Sequence, residues 1–358
     1  MYGRFYLKKI ISLAYYLPQF HEIPENNLWW GTEFTEWVNL REARQYYPWQ
    51  ELRRPVAPFN EYNLLNSEVL DWQSRIASDH GITGFLIWDY WFGDGKQLLE
   101  RPAELILEKC PDFRYCFSWA NHSWENKTTH QMLQEQKYLG EEDYTAYFYK
   151  RLPHFKSDNY IKVDGKPVFG VFLPQGIPDL PCFVEVFRRL AELEGFPGIY
   201  LIAENSTEDS LGLFDRYLSS NSAFQRRKAS SPVQFVKEQL IKRYNWNALG
   251  PIVFDFNKTA LPRSADALSK HEIPVLFTGW DTTPRHKKRG TIYRGFTLEA
   301  FKQTVLNVVA QLKLQQAEHP IVIVKSWNEW AEGNLMEPDS VFGDGLLKIY
   351  KDNVPPTI

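Results

Sequence analysis

The sequence has few cysteines, no long apolar run and little excess of charge. Its three cysteines, Cys110, Cys116 and Cys182, match no metal or redox spacing, so we expect thiols in a reducing compartment. The apolar run Ile10–Leu17 is short and lacks a cleavage site of small residues, which predicts a strand and not a signal peptide. No run approaches the roughly 20 apolar residues that cross a bilayer. The expected location is cytoplasmic, with no transmembrane segment.

A net charge of -3 gives no field that would attract nucleic acid or a membrane surface. The common cofactor signatures are also missing. The sequence has no Gly-rich phosphate loop, no Gly-x-Ser-x-Gly elbow, no Asp-x-Asp pair, and no histidines at zinc spacing. We therefore expect no metal, no dinucleotide cofactor and no nucleic-acid partner.

Tryptophan is abundant, with 13 residues in a chain that is 16% aromatic. Aromatic faces stack on the C–H faces of sugar rings, but they also dominate protein cores. Composition alone favours core packing, and only the positions of the tryptophans can decide between the two interpretations.

Short apolar runs alternate with segments of helical period, which is typical of a parallel sheet. The predicted strands are Ile10–Tyr16, Gly84–Trp88, Arg114–Trp119, Pro167–Leu173, Ile199–Ala203, Arg216–Ser220, Pro274–Trp280 and Ile321–Trp327. The predicted helices are Ser67–His80, Gln97–Lys109, Glu141–Phe155, Cys182–Glu194, Pro232–Tyr244 and Leu298–Leu314. Eight strands predict an α/β fold, a (β/α)₈ TIM-type barrel formed by residues 1–358 as a single domain. Gly250–Phe256 competes with Arg216–Ser220 as the sixth strand.

A long insertion, Pro18–Asn66, follows the first strand. It contains four tryptophans: Trp29, Trp30, Trp37 and Trp49. A loop of this length in a compact fold is usually functional, so we interpret it as a lid, with a plain cover of the barrel mouth as the alternative.

Polar and aromatic residues follow most of the predicted strands, where barrel enzymes carry their sites. Seven tryptophans lie at or just after strand ends, which favours sugar stacking over core packing for this group. The candidate substrate-binding residues are Tyr15, Tyr16, Trp30, Asp89, Trp91, Trp119, Asn121, His122, Trp280, Asp281, Arg285, Trp327, Asn328 and Trp330.

Glu329 and Glu332 form the strongest local signal, because they follow the best strand and are three residues apart. A helical turn would direct both carboxyl groups into one pocket. Glycosyl transfer commonly uses two carboxyl groups, one as an acid and the other as a base or nucleophile. We therefore predict Glu329 and Glu332 as the catalytic pair, with an ordinary exposed acidic loop as the alternative.

Several of the other candidates have equally plausible structural roles. Asp89 and Asp281 each follow a strand, where an aspartate is often a helix cap. His122 either binds a hydroxyl or is structural. The basic run Arg285–Arg289 is usually a solvated loop, and otherwise contacts a phosphate or an acidic sugar.

Several ordered motifs resemble the WbsX-like family over nearly the whole chain. They are Ala14-Tyr15-Tyr16-Leu17-Pro18-Gln19-Phe20-His21, Trp29-Trp30-Gly31, Phe34-Thr35-Glu36-Trp37, Tyr90-Trp91-Phe92, Leu99-Glu100-Arg101-Pro102, Trp119-Ala120-Asn121, Asp164-Gly165-Lys166-Pro167, Gly279-Trp280-Asp281-Thr282-Thr283-Pro284-Arg285 and Trp327-Asn328-Glu329-Trp330-Ala331-Glu332-Gly333 with Glu337-Pro338. One departure is His122, which stands where many members have Glu, so the substrate contacts there are not carried over.

The WbsX-like family is similar to glycoside hydrolase family 99, whose endo-α-mannosidases have a (β/α)₈ barrel and need no metal. The resemblance implies that Glu329 deprotonates the substrate 2-hydroxyl, which attacks the anomeric carbon to give an epoxide-like intermediate. It implies that Glu332 is first the acid for the leaving group and then the base for water, with net retention.

Three functions follow as alternatives. The first is a retaining enzyme, a hydrolase or transglycosylase, that acts on a bacterial surface polysaccharide or its precursor, free or lipid-linked. The second is a glycosyltransferase of O-antigen or capsule biosynthesis that uses an activated sugar donor. The third is a non-catalytic sugar-binding barrel.

Overall fold

The computed structural model describes residues 9–126, 129, 131–219, 222–244, 246–260 and 268–355. Its main sheet contains eight parallel strands, which run through buried, largely apolar segments as expected for strands covered on both faces. The strands are β1 Ile11–Tyr16, β2 Gly84–Trp91, β3 Tyr115–Trp119, β4 Lys166–Val171, β5 Tyr200–Ala203, β6 Arg216–Tyr217, β7 Val275–Phe277 and β8 Ile321–Lys325.

The strands lie in the order β6-β5-β4-β3-β2-β1-β8-β7. In β1, Tyr15 is opposite Leu86 of β2 and Ala14 is opposite Val324 of β8. A single parallel bridge between Tyr217 of β6 and Glu272, just before β7, joins the two ends of this order. The chain is therefore an α/β fold with a curled parallel sheet, consistent with a TIM-type barrel. Two short strands, Gln97–Leu98 and Lys162–Val163, pair antiparallel with β2 and β4.

All six predicted helices are present, with each end within four residues of its prediction, and six further helices in the described residues were not predicted. They are α1 Pro24–Trp30, α2 Glu36–Arg41, α3 Ser67–Asp79, α4 Arg101–Lys109, α5 Glu141–Lys156, α6 Leu180–Leu193, α7 Ser222–Ser230, α8 Pro232–Tyr244, α9 Phe256–Thr259, α10 Thr283–His286, α11 Leu298–Gln315 and α12 Gly345–Asn353. Local chemistry sets several of the starts. The side chains of Asn66 and Thr297 accept backbone N–H groups at the first turns of α3 and α11, as N-caps do.

The sixth strand is Arg216–Tyr217, in place of its competitor. Ile252–Asp255 is also a strand, but it pairs in parallel with Thr291–Arg294 outside the main sheet. The predicted sixth strand extended to Ser220, which lies outside the described residues.

The segment between β1 and α3 contains α1 and α2, where the sequence predicted irregular structure. Trp37 of α2 packs against Phe20 with ring centroids 4.5 Å apart and planes tilted by 46°, and its Nε1 donates to the Tyr62 carbonyl at 2.7 Å. These contacts hold α2 against the turn Trp330–Glu332, beyond the end of β8. The segment therefore lies beside the predicted catalytic pair.

Within the described part of the chain, no helix has both the length and the apolar character that a membrane span requires.

Candidate active site

Glu329 and Glu332 lie on a tight loop beyond β8. Asn328–Glu329 pairs antiparallel with Asn334–Leu335, and a 3₁₀ turn at Trp330–Glu332 lies between them. Gly333 closes the loop with φ at 63°, and a Cβ there would lie 2.9 Å from the Asp281 backbone nitrogen. The Asp281 N–H donates to the Glu332 carbonyl at 2.8 Å, which joins this loop to the one after β7. The close approach explains why this position is a glycine.

Arg285 brings the two predicted catalytic carboxylates together. Its Nη2 is 3.6 Å from Glu329 Oε2, and its Nη1 donates to Glu332 Oε1. The same guanidinium lies 3.1 Å from Glu36 Oε2, at the start of α2. Three carboxylates from two distant parts of the chain thus surround one cation. The convergence that the sequence predicted for Glu329 and Glu332 is present in the structure.

Burial and the neighbouring Glu332 carboxylate raise the pKa of Glu329, while Arg285 and a hydrogen bond from Trp88 oppose the rise. Trp88 Nε1 donates to Glu329 Oε1 at 3.1 Å. Tyr90, on the same face of β2 as Trp88, also has a raised pKa, mainly through burial and then through the charge of Glu329. The two carboxyl groups form an interacting pair in which burial favours retention of a proton on Glu329.

An aromatic floor lies beside the carboxylates. The rings of Tyr15 and Trp88 stack with centroids 4.5 Å apart and planes 8° apart. Lys325, the last residue of β8, places its amine 6.0 Å from the Tyr15 ring centroid and 5.3 Å from that of Trp280. Stacked rings next to hydrogen-bonding groups are suited to a sugar, which has apolar faces and hydroxyl edges.

A buried acid lies below the floor. Tyr15 Oη donates to Glu204 Oε2 at 2.5 Å, and Ser118 Oγ donates to Oε1 at 2.5 Å. Burial raises the pKa of Glu204 to about 7, against the lowering effect of these two bonds and of Lys325. Because Tyr15, Ser118 and Glu204 come from β1, β3 and the end of β5, their contact shows that the sheet curls around a shared interior.

Asp89, Trp91 and Trp119 do not lie beside Glu329. Strand β2 runs three residues further than predicted, to Trp91, so alternate residues point away from the interior. Asp89 accepts two bonds from Arg151 of α5, both at 2.7 Å, and Trp91 Nε1 donates to Asp143 of the same helix. Trp119 is fully buried and donates to the Trp91 carbonyl. The interior positions of β2 are Trp88 and Tyr90.

Trp327, Asn328 and Trp330 are buried and support the loop instead of lining it. The indole N–H groups of Trp327 and Trp330 donate to opposite oxygens of Glu337, at 3.0 and 2.8 Å. The Glu337 carboxylate also accepts from Tyr62 and Gln73, and burial raises its pKa to about 7 against these bonds.

The side chains of two candidates, Asn328 and Asn121, are held by hydrogen bonds to backbone groups. The Asn328 side chain pairs with the backbone N–H and carbonyl of Leu17, and Asn121 pairs in the same way with Leu173. Tyr16 donates its hydroxyl to Gln73 in the core. All three residues hold neighbouring segments in place.

The other candidates lie around the rim. Trp30 is exposed on α1. His122 contacts Phe172, which in turn contacts Trp88, with ring centroids 5.5 and 5.2 Å apart. Burial raises the pKa of Asp281, whose carboxylate accepts from Gln50 and Thr283.

A cavity of about 100 Å³ lies beside the loop at Gly333, next to the carboxylate cluster and not over it. Trp280 lines it together with Trp49, Tyr293 and Arg294. The Arg294 guanidinium lies 4.7 Å from the Trp49 ring centroid. The cavity therefore extends the aromatic surface of the site away from the acids.

Sequence reasoning did not select Glu36, Tyr90, Glu204 and Lys325 as members of the site, and it included Trp88 only within the group of strand-end tryptophans. Strand alternation could have selected Trp88 and Tyr90 in place of their neighbours, once the end of β2 was known. Glu36 had no comparable signal, because α2 reaches the site only through tertiary packing. In the described residues, no group of three or more His, Cys, Asp or Glu side chains is arranged to hold a metal ion.

Comparison with known proteins adds family and fold information. A family model described as glycosyltransferase WbsX matches residues 12–350. WxcX proteins from two Xanthomonas campestris pv. campestris strains are each 29% identical over 345 residues, 94% of this chain and 48% of the relative. The chain thus spans about half the length of these relatives.

Two solved structures match nearly the whole chain. A glycoside hydrolase-like protein has a TM-score of 0.57 at 16% identity, covering 98% of this chain and 95% of its own. The GH99 endo-α-mannosidase of Bacteroides thetaiotaomicron has a TM-score of 0.54 at 13% identity, covering 95% of each chain. At these identities the matches show a shared fold.

Proposed function

The chain belongs to the WbsX glycosyltransferase family, and from this premise we propose that it is a retaining carbohydrate-active enzyme, a hydrolase or transglycosylase, acting on a bacterial surface polysaccharide or its precursor. The observation that carries the proposal is the convergence of Glu329 and Glu332 on Arg285 beside the Tyr15–Trp88 stack. We further propose that the eight strands form a complete (β/α)₈ barrel, that the chain is one domain, and that the segment with α1 and α2 closes over the sugar.

In each of the two steps of the proposed reaction, one of the two glutamates accepts a proton and the other donates one. Glu329 takes the proton of the sugar 2-hydroxyl, whose oxygen attacks the anomeric carbon as Glu332 protonates the departing oxygen. Water or a sugar hydroxyl then opens the intermediate, giving up its proton to Glu332, while the 2-oxygen recovers a proton from Glu329. Two displacements at one carbon give net retention.

In the free protein the geometry favours the opposite arrangement of the shared proton. Arg285 pairs with Glu332, while burial raises the pKa of Glu329 to about 7. Because only the total number of protons on the pair sets the pH dependence, both arrangements give the same profile. The mechanism therefore requires the bound sugar to displace Arg285 from Glu332 so that Glu332 can carry the proton.

The test is product formation from a panel of α-linked oligosaccharides and lipid-linked glycans, measured by mass spectrometry. Glu329→Gln and Glu332→Gln are each expected to lower the rate about 10²–10⁴-fold. Glu42→Gln, which alters an exposed glutamate paired with Lys287, is the matched control and should retain full activity. Equal product from wild type and Glu332→Gln would remove the mechanism.

Leaving-group dependence separates the two roles. If Glu332 is the acid, Glu332→Gln should recover activity on a substrate with a good leaving group, such as an aryl glycoside, and Glu329→Gln should not. The reverse pattern would exchange the assignments. Product anomers observed by NMR at early times test retention directly.

The family description favours a second candidate, a glycosyltransferase that uses an activated donor. Its phosphate would have to be bound by Lys287, Lys288 and Arg289, because three carboxylates already surround Arg285. Thermal protection by nucleotide sugars would support this function. Full retention of every measurable function in both glutamine variants would instead indicate a non-catalytic sugar-binding barrel.

The free thiols Cys110, Cys116 and Cys182 support our proposal of a cytoplasmic location.

A further inference from the structure

Helix α8 exposes an apolar stripe to solvent. Val233, Val236, Leu240 and Tyr244 are spaced at i, i+3, i+7 and i+11, which places them on one side of the helix. The side chain of Val233 is 76% exposed and that of Val236 is 56% exposed. Core-facing helices bury such a stripe, whereas this helix buries the opposite side, through Glu238 and Ile241. Tyr244 is 54% exposed and Leu240 is half-buried, so three of the four stripe residues face solvent.

Trp246 and Leu249 extend the stripe beyond the end of the helix. Trp246 is 55% exposed and contacts Tyr244, with ring centroids 5.8 Å apart, and Leu249 follows as a further exposed apolar side chain. Tyrosine and tryptophan favour the boundary between water and lipid, because each ring joins an apolar body to a polar group. We call these six residues, Val233, Val236, Leu240, Tyr244, Trp246 and Leu249, the α8 patch.

The surroundings of the α8 patch are basic, in contrast to the chain as a whole. Residues 222–249 contain six Lys or Arg and one acid, although the net charge of the protein is -3. That acid, Glu238, is buried and pairs with Arg227 and Lys242 at 2.6 Å. Lys242 and Arg243 are exposed on α8 itself. A whole-chain charge conceals this local excess, so the sequence-level argument against a membrane surface does not apply here.

The patch also adjoins the rim of the candidate active site. Asn247–Leu249 lies against Lys287–Arg289, and the backbone of Gly250 is in close contact with the Lys288 carbonyl. Lys288 is exposed and is three residues from Arg285 of the carboxylate cluster. The part of the basic run that the proposed reaction leaves unused, Lys287–Arg289, thus borders the patch.

We propose that the α8 patch binds the surface of a lipid bilayer that contains anionic lipids. The apolar and aromatic side chains enter the interface, and Arg243 and Lys288 lie against the headgroups, as in interfacial amphipathic helices. Charge complementarity and the exposed aromatic pair favour this occupant over another protein surface. Given the proposed function, attachment there would hold the site over glycans carried on lipid.

Co-sedimentation of the full chain with vesicles tests the binding without any enzymatic assay. We expect binding to phosphatidylcholine vesicles that contain phosphatidylglycerol, weaker binding to pure phosphatidylcholine, and loss at high salt. Replacing Arg243 and Lys288 by Gln should lower the affinity about 25-fold, since each basic residue near such a surface contributes a factor of roughly five. Val236→Glu with Trp246→Glu should abolish the binding.

Leu193→Glu is the matched control, because Leu193 is 70% exposed on α6, outside the patch, and this variant should bind like wild type. Absence of binding to phosphatidylglycerol vesicles at low salt would overturn the proposal, as would binding that the patch variants leave unchanged. A patch-dependent dimer in light scattering, without vesicle binding, would assign the surface to a second copy instead. Loss of activity in the glutamate variants is a separate result, so failure of either proposal is distinguishable from failure of the other.

Discussion

Replacing Arg285 by Met should destabilise the protein in a way that depends on pH. The methionine fills much of the same space, but it leaves the carboxylates of Glu36, Glu329 and Glu332 facing one another without a cation. The Glu36 and Glu329 side chains are 4% and 10% exposed, so solvent screens their repulsion poorly. Breaking a buried ion pair costs about 3–5 kcal/mol. Because the guanidinium itself is 26% exposed, we expect about 3 kcal/mol at pH 8.

The sign of the pH effect follows from linkage. Without Arg285 the pKa of Glu329 lies further above its unfolded value, because the cation that lowered it is gone. The resulting penalty is absent below the unfolded pKa, near 4.5, and complete above the folded pKa. The loss of stability should therefore shrink from about 3 kcal/mol at pH 8 to roughly 1 kcal/mol near pH 5.

Thermal unfolding at the two pH values measures this difference. An unfolding entropy of about 2.1 cal/mol/K per residue corresponds to roughly 0.75 kcal/mol per degree for this chain, so the variant should lose about 4 °C at pH 8. Lys287→Met, which removes an exposed cation two residues away, should change Tm by less than about 1 °C. A Tm loss for Arg285→Met that is equal at pH 5 and pH 8 would refute the electrostatic reasoning.

Three further outcomes are expected. The rate constant kcat/KM should fall as pH rises above neutrality. Burial and Glu332 raise the pKa of Glu329 to about 7, so the pair loses its single proton in that range. A value of kcat/KM that stays constant from pH 5 to pH 9 would contradict this. Gly333→Ala should lower kcat at least tenfold in a steady-state assay, because the added Cβ would lie 2.9 Å from the Asp281 backbone and displace the loop. Wild-type kinetics in this variant would show that the loop tolerates the added methyl group. Glu337→Ala should lower the free energy of unfolding by at least about 3 kcal/mol in chemical denaturation, because four buried donors lose their acceptor. A decrease under about 1 kcal/mol would show that these donors find other partners.

Much of the fold was predictable because strand and helix periods are local properties. The start of β2 at Gly84 and the whole of α8, Pro232–Tyr244, agree with the residue pattern. The end of β2 was not predictable, because Asp89 looks like a residue of a loop. Its charge is compensated by Arg151, which is 62 residues away in the chain and comes close only after α5 packs on the sheet.

The sequence by itself determined which segments form the main sheet, which loop carries two glutamates, and which family the chain resembles. These properties depend on neighbouring residues and on short motifs. Tertiary structure alone decided which side chains share a site with Glu329. A shift of one residue along a strand reverses the face, so β2 contributes Trp88 and Tyr90 and not Asp89. Glu36 reaches Arg285 only because the chain folds back across the end of the sheet, over a separation that no local pattern encodes.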